Sequence, residues 1–172
     1  MEIVRITSGE YRGRTLKTPG GATHPMGARE KLALFNMISG YVLEAAVLDA
    51  YAGSGALGIE ALSRGAKSVV FVEKSPAAAG VIKKNLSELE LVAEVATSDI
   101  ANFQPKEKFN LILADPPYDK FDADKIKDLV KFLVSGGILV LSHPGEAPEI
   151  PGLEFLKSRQ YAGARISIYK SA

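Results

Sequence analysis

The amino-acid sequence predicts a single α/β domain built on a doubly wound, mostly parallel sheet. Three observations predict it. Apolar runs of strand length, at 46–50, 68–72, 93–96, 109–114 and 138–141, alternate with stretches whose apolar residues recur at helical spacing. A glycine-rich loop, Gly53 to Gly58, follows the first run and opens the next helix. Carboxylates stand at four strand ends, Asp49, Glu73, Asp99 and Asp115, where open α/β sheets bind their ligands.

Composition narrows the class further. The 172 residues suffice for one core without staples. No apolar run approaches the roughly 20 residues of a membrane span, and Met1 to Arg5 lacks the build of a signal peptide, so a cytoplasmic location is expected. With no cysteine, and with His24 and His143 far apart, neither a disulfide nor a metal site is expected. The net charge is only +1, but residues 1 to 40 carry six Lys or Arg against three Glu. A polyanion would therefore be held by a local patch at the front of the chain.

In chain order, Ile3–Ile6 and Arg14–Thr18 alternate around Ser8–Gly13 and read as a β-hairpin or paired arms, a small basic N-terminal appendage extending the main unit over segment 1–22. Arg5, Arg12, Arg14 and Lys17, with Tyr11 among them, suit either a solvated face or a surface that pairs with phosphates and stacks on a base. Pro19-Gly20-Gly21 marks a loop before the main unit, 23–172. Leu32, Phe35 and Ile38, with Leu34, give a helix from Ala28 to Ile38.

Ala46–Ala50 is a buried strand leading into Tyr51-Ala52-Gly53-Ser54-Gly55, and the helix after it carries Ile59 and Leu62 to a cap at Gly65. Gly53, Gly55 and Gly58 meet the dinucleotide pattern literally, and Glu73 is about the right distance on to accept ribose hydroxyls. Nicotinamide, flavin and adenosyl cofactors all remain open at this point. Ser75-Pro76 starts a helix whose buried stripe is Ile82, Leu86 and Leu89. A helix with Ile126, Leu129, Val130 and Leu133 on one face precedes the strand 138–141. His143 reads as a solvated loop histidine, and Leu153–Lys157 and Ala164–Tyr169 as antiparallel neighbours.

Asp115-Pro116-Pro117-Tyr118 closes the run 109–114. Two prolines stiffen the loop and leave carbonyl oxygens as its polar groups, Asp115 adds a carboxylate, and Tyr118 adds a flat face. That set suits an exocyclic amino group on a planar ring. A plain strand-end turn is the bland alternative.

Taken together, Asp49, the glycine loop, Glu73, Asp99 and Asp115–Tyr118 resemble a class I S-adenosylmethionine-dependent methyltransferase. Arg5-Ile6-Thr7-Ser8-Gly9, Gly13–Pro19, Ala33-Leu34-Phe35-Asn36, Val47–Gly65 and Arg165–Tyr169 are similar to the bacterial enzymes that methylate guanine N2 in small-subunit ribosomal RNA. The resemblance implies a seven-stranded Rossmann-like sheet with its last strand antiparallel and a basic hairpin that assists RNA binding.

The same resemblance implies S-adenosylmethionine as cofactor. Asp49 and the backbone of Gly53, Ser54 and Gly55 would hold the methionine moiety, Glu73 the ribose, and Asp99 with Ile100 the adenine, with Tyr51 and Lys74 also in the cofactor site. Asp115, Pro116, Pro117 and Tyr118 would hold the target base. The implied partner is ribosomal RNA or a small-subunit assembly intermediate, met by a monomer without metal or membrane. Where that family has Thr-Arg-Pro-Thr and then Asp and Arg, this chain has Thr23-His24-Pro25-Met26, then Ala28 and Arg29-Glu30-Lys31-Leu32. His24 lacks the bidentate fork of arginine. Rival readings are a methyltransferase of the same fold acting on DNA adenine or protein glutamine, a nicotinamide oxidoreductase, and a non-catalytic ribosome-assembly factor.

Overall fold

The computed structural model describes residues 3–20, 25–161 and 163–172. Met1, Gly21, Thr23, His24 and Ala162, on which parts of the sequence reading fall, lie outside the described residues, as does the expected boundary at 22/23.

The chain forms β1 (Val4–Arg5), β2 (Thr15–Leu16), α1 (Ala28–Met37), β3 (Ala46–Asp49), α2 (Ala56–Ser63), β4 (Ser68–Glu73), α3 (Pro76–Glu88), β5 (Glu94–Thr97), β6 (Phe109–Ala114), α4 (Ala123–Lys127), β7 (Leu133–His143), β8 (Leu153–Tyr161) and β9 (Ala164–Ser171). The main sheet has seven strands in the order β5-β4-β3-β6-β7-β9-β8. Neighbours from β5 through β7 are parallel, whereas β9 is antiparallel to both β7 and β8. The doubly wound sheet with an antiparallel last strand is thus present. Its strand order reverses beside β3, which opens a crevice beyond the carboxyl ends of β3 and β6.

The period-2 alternation of the strands sorts their side chains into two cores. Val47, Leu111, Leu113, Ile138 and Val140 pack on one face with Phe35, Ile59 and Ile82 from α1, α2 and α3. Leu48, Ile112, Leu139, Leu141 and Tyr169 pack on the other, under α4 and the 3₁₀ turn Asp128–Phe132. Ser75 caps α3 by accepting the Ala78 N–H at 3.2 Å, with Pro76 at the first helical position.

Four expectations are corrected. The N-terminal hairpin is no appendage: β1 and β2 do pair, but Val4, Ile6 and Leu16 are buried in the first core. In α1, Leu32 is 42% exposed and Lys31 is fully buried in its place. Lys31, Leu34, Phe35 and Ile38 follow the i, i+3, i+4, i+7 stripe, and a hidden partner for Lys31 makes that stripe buriable.

The third correction concerns Leu133, which does not belong to a helix. The helix loosens into the 3₁₀ turn, and Leu133 opens β7 by pairing with Phe109, after which the register shifts through Gly136, at φ 76°, before Ile138 meets Leu111. The fourth is His143, which ends β7 in full burial. Its Nε2 lies 2.7 Å from Ser167 Oγ, and desolvation holds its pKa below the ordinary histidine value.

Candidate active site

The site begins where β3 stops. Ala52 N–H donates to Val72 O and Gly55 N–H to Ala52 O, at 3.0 and 2.7 Å, so the chain turns sharply over the ends of β3 and β4. Gly53 and Gly55 take φ of 56° and 81°, the left-handed region open to glycine at no steric cost. Gly58 serves a different purpose. A Cβ there would come within 2.3 Å of the Phe71 ring, so its lack of a side chain lets α2 lie directly on β4.

Two carboxylates brace this loop from beneath. Glu73 accepts Gly53 N–H at 3.2 Å through one oxygen and Ser75 N–H at 3.0 Å through the other, tying the loop to the start of α3. Asp49, 1% exposed, accepts the Gly58 N–H at 3.0 Å. Burial pushes the Asp49 carboxyl up to about 7, the Gly58 N–H opposes that shift, and the charges of Asp115 and Glu73 add to it.

Beyond the loop lies a cleft lined on one side by Tyr51, Ala52, Gly53, Ser54, Ala56 and Leu57, and on the other by Thr18, Pro19, Pro25 and Met26. Asp115 closes it. Desolvation raises the Asp115 carboxyl to about 6, against a hydrogen bond from Ser142. Pro116 is buried, Pro117 exposed, and Tyr118, 37% exposed, sets its hydroxyl against Ser142 Oγ. Of the tetrapeptide, Asp115 lines the cleft, while Tyr118 is partly exposed and anchored through its hydroxyl.

Not every residue expected in the site lines this cleft. Asp49 and Glu73 lie under the loop. Asp99 caps the 3₁₀ turn Ile100–Asn102 through Ala101 N–H at 3.0 Å, and its charge, after desolvation, helps push the Tyr51 hydroxyl up to about 12. Lys74 is exposed. In the hairpin, Arg12 is exposed near the tip, while Arg14 donates to Glu88 O at 3.2 Å and Lys17 pairs with the Glu88 carboxylate at 2.8 Å. Arg5 reaches Gly13 O at 3.5 Å, and Tyr11 is half-buried against the first core.

Sequence reasoning marked Pro25 and Met26 as part of a divergent segment near the cofactor or RNA but missed Thr18 and Pro19, which complete the far wall of the cleft. It also missed Glu60, Lys31 and Asn85, three buried polar groups on apolar stripes. Asn85 offered a signal: it falls between Ile82 and Leu86 on the buried face of α3, where a polar side chain needs a reason. Among the described residues, no group of three or more His, Asp or Glu is placed to hold a metal ion, and no helix is long and apolar enough to cross a membrane.

The family model described as Conserved hypothetical protein 95 matches residues 4–170. The chain belongs to this family. YlbH of Bacillus subtilis (strain 168) is 35% identical over 97% of this chain and 98% of its own. Ribosomal RNA small subunit methyltransferase D of Haemophilus influenzae is 41% identical over 67% of this chain, and the match spans 64% of that relative. Among solved structures, yhhF of Escherichia coli superposes with a TM-score of 0.90 at 28% identity, covering 99% of this chain and 98% of the other. Family membership thus extends over the hairpin and the sheet alike.

Proposed function

We propose that this chain transfers a methyl group from S-adenosylmethionine to the exocyclic N2 amine of a guanine in small-subunit ribosomal RNA. The observation that carries the reading is the meeting of Asp115 with the glycine loop in one cleft. A nucleophile held by the Asp115 loop and a cofactor held by the glycine loop would share a boundary there. The name of the Haemophilus influenzae relative supports the substrate class.

The residues present fit the cofactor. Asp49, Glu73 and Asp115 gather acidic groups around the loop, and the charges of Glu73 and Asp115 both raise the Asp49 pKa. Such a site favours a ligand carrying positive charge, which the sulfonium and ammonium groups of S-adenosylmethionine supply. A dinucleotide would bring a pyrophosphate instead, and it gives the Asp115 loop no task. When bound, S-adenosylmethionine supplies a methyl group already activated for displacement.

The protein's own work is positioning. Glu73 and the Ala52 carbonyl take the Gly53 and Gly55 N–H groups and so hold the glycine loop in its turn against a ligand, and Asp99 with the Ile100 amide meets the adenine edge. Asp115 and the Pro116 carbonyl accept the two N–H groups of the target amine. That draws its lone pair out of conjugation and stabilises the positive charge that develops on nitrogen. As that charge grows, the Asp115 carboxylate takes the proton. Tyr118 stacks on the base, which a loop presents or the enzyme flips from its helix. Arg12, with Arg5, Arg14 and Lys17, contacts the phosphates.

The test is transfer of labelled methyl from S-adenosylmethionine to small-subunit particles from cells lacking this gene, followed by nucleoside mass spectrometry. N2-methylguanosine at one site is the expected product. Cofactor binding without transfer would turn the reading toward another amino-group substrate or an assembly factor, and absence of cofactor binding would end it.

A further inference from the structure

Asn85 lies on α3 between Ile82 and Leu86 and is 1% exposed. A buried amide is costly unless it is bonded, and this one is bonded on three sides. Its Oδ1 accepts the Lys17 N–H at 2.9 Å, and its Nδ2 donates to Lys17 O at 2.9 Å and to Ser54 O at 3.1 Å. The partners fix the amide's orientation, because a backbone N–H demands the oxygen and two carbonyls demand the NH2 group.

All three partners are backbone atoms of the segments that form opposite walls of the cleft. Lys17 precedes Thr18 and Pro19 on the far wall, and Ser54 sits in the glycine loop on the near wall. The hairpin that leads into the far segment is held by Glu60, which accepts the N–H groups of Thr7 and Ser8 at 2.9 and 3.2 Å. Asn85 thus bridges the two walls. We infer that Asn85 is a positioning residue for the cofactor, setting the separation of the Thr18–Pro19 wall from the glycine loop through its bonds to Lys17 and Ser54.

The inference rests on the proposed cofactor site, and the experiment keeps the two separable. Binding of S-adenosylhomocysteine to the full chain is measured by calorimetry for the wild type, Asn85→Ala, Asn85→Asp and Glu88→Gln, together with kcat, KM and ligand-free melting. Asn85→Asp keeps the side-chain volume and the bond from Lys17 N–H but cannot donate to either carbonyl. Glu88→Gln breaks the Lys17 ion pair and leaves the backbone bridge intact.

Losing the bridge leaves buried carbonyls unpaired and frees the wall, so Kd and the KM for S-adenosylmethionine rise about tenfold in both Asn85 variants. At saturation kcat stays near that of the wild type, and Glu88→Gln binds normally. Unchanged affinity in folded Asn85 variants overturns the inference, even if their melting temperatures drop. So does equal weakening in Glu88→Gln, or failure of both Asn85 variants to fold. If the wild type itself does not bind, the cofactor reading fails first and this inference goes with it.

Discussion

Glu60 on α2 and Asp49 at the end of β3 are both carboxylates removed from water, yet their surroundings act on them in opposite directions. Burial pushes Glu60 up, but N–H and O–H donors from Thr7, the Ser8 N–H, Arg64 Nε at 2.9 Å and Lys31 Nζ at 3.2 Å together hold it below the ordinary range. Asp49 takes the Gly58 N–H and is left near two further acids, so its pKa rises to about 7. A buried charge whose partners saturate it belongs to the architecture. A group of acids with too few partners is a site waiting for a cation.

The comparison breaks most sharply at the cleft. Asp115→Ala is expected to keep S-adenosylhomocysteine binding and to lower methyl transfer by about two to three orders of magnitude, the scale for losing one preorganised group aimed at developing charge. Near-normal turnover would remove Asp115 from the chemistry.

On the saturated side, Glu60→Gln should cost about 3–5 kcal/mol of unfolding free energy in urea titration, because it leaves Lys31 buried without its counter-charge. Lys31 also donates to Arg5 O at 2.7 Å, so the loss should loosen the hairpin with the core. A change under 1 kcal/mol would show that the network is not what holds the hairpin down.

The two kinds of acid also differ in how stability varies with pH. The folded pKa values of Asp49 and Asp115, about 7 and about 6, lie above their unfolded values, so the folded state binds more protons between about pH 4 and 7. Their contribution to stability therefore falls as pH rises through that window. Asp49→Asn, which keeps an acceptor for Gly58, should raise the melting temperature at pH 8 and change it little at pH 4. A uniform shift at both values would contradict the assigned cause. In turnover, kcat/KM should fall as pH drops below about 6, where Asp115 becomes protonated and can no longer accept the amine proton.

The smallest effect is expected on the surface. Arg12→Ala, exposed near the hairpin tip, should weaken RNA binding a few-fold and reduce the salt slope by about one, measured by titration at several ionic strengths. Arg14 and Lys17 already lean on Glu88, so their removal tests both RNA contact and hairpin seating.

Much of this was legible in the chain because it rests on local rules. Strand runs, the Ser75-Pro76 helix start, the glycine turn and the carboxylates at strand ends each follow from the preferences of a few adjacent residues, and the structure has them where the sequence puts them. The Asp115–Tyr118 loop was legible for the same reason, since two prolines restrict the backbone whatever surrounds them.

What only the tertiary structure decided depends on partners far away in sequence. Lys31 reads as a solvent residue until Glu60, 29 positions later, makes it buriable, and Leu32 is turned outward as a consequence. Leu133 reads as helical until Phe109 offers it a ladder partner. His143 reads as a loop residue until Ser167 on β9 takes its ring nitrogen. Asn85 is an anomaly on an apolar stripe until Lys17 and Ser54 arrive on either side of it. Sequence patterns carry the preference of a residue for a conformation or for water. Whether a polar group is buried and satisfied is a property of pairs, and the fold alone brings those pairs together.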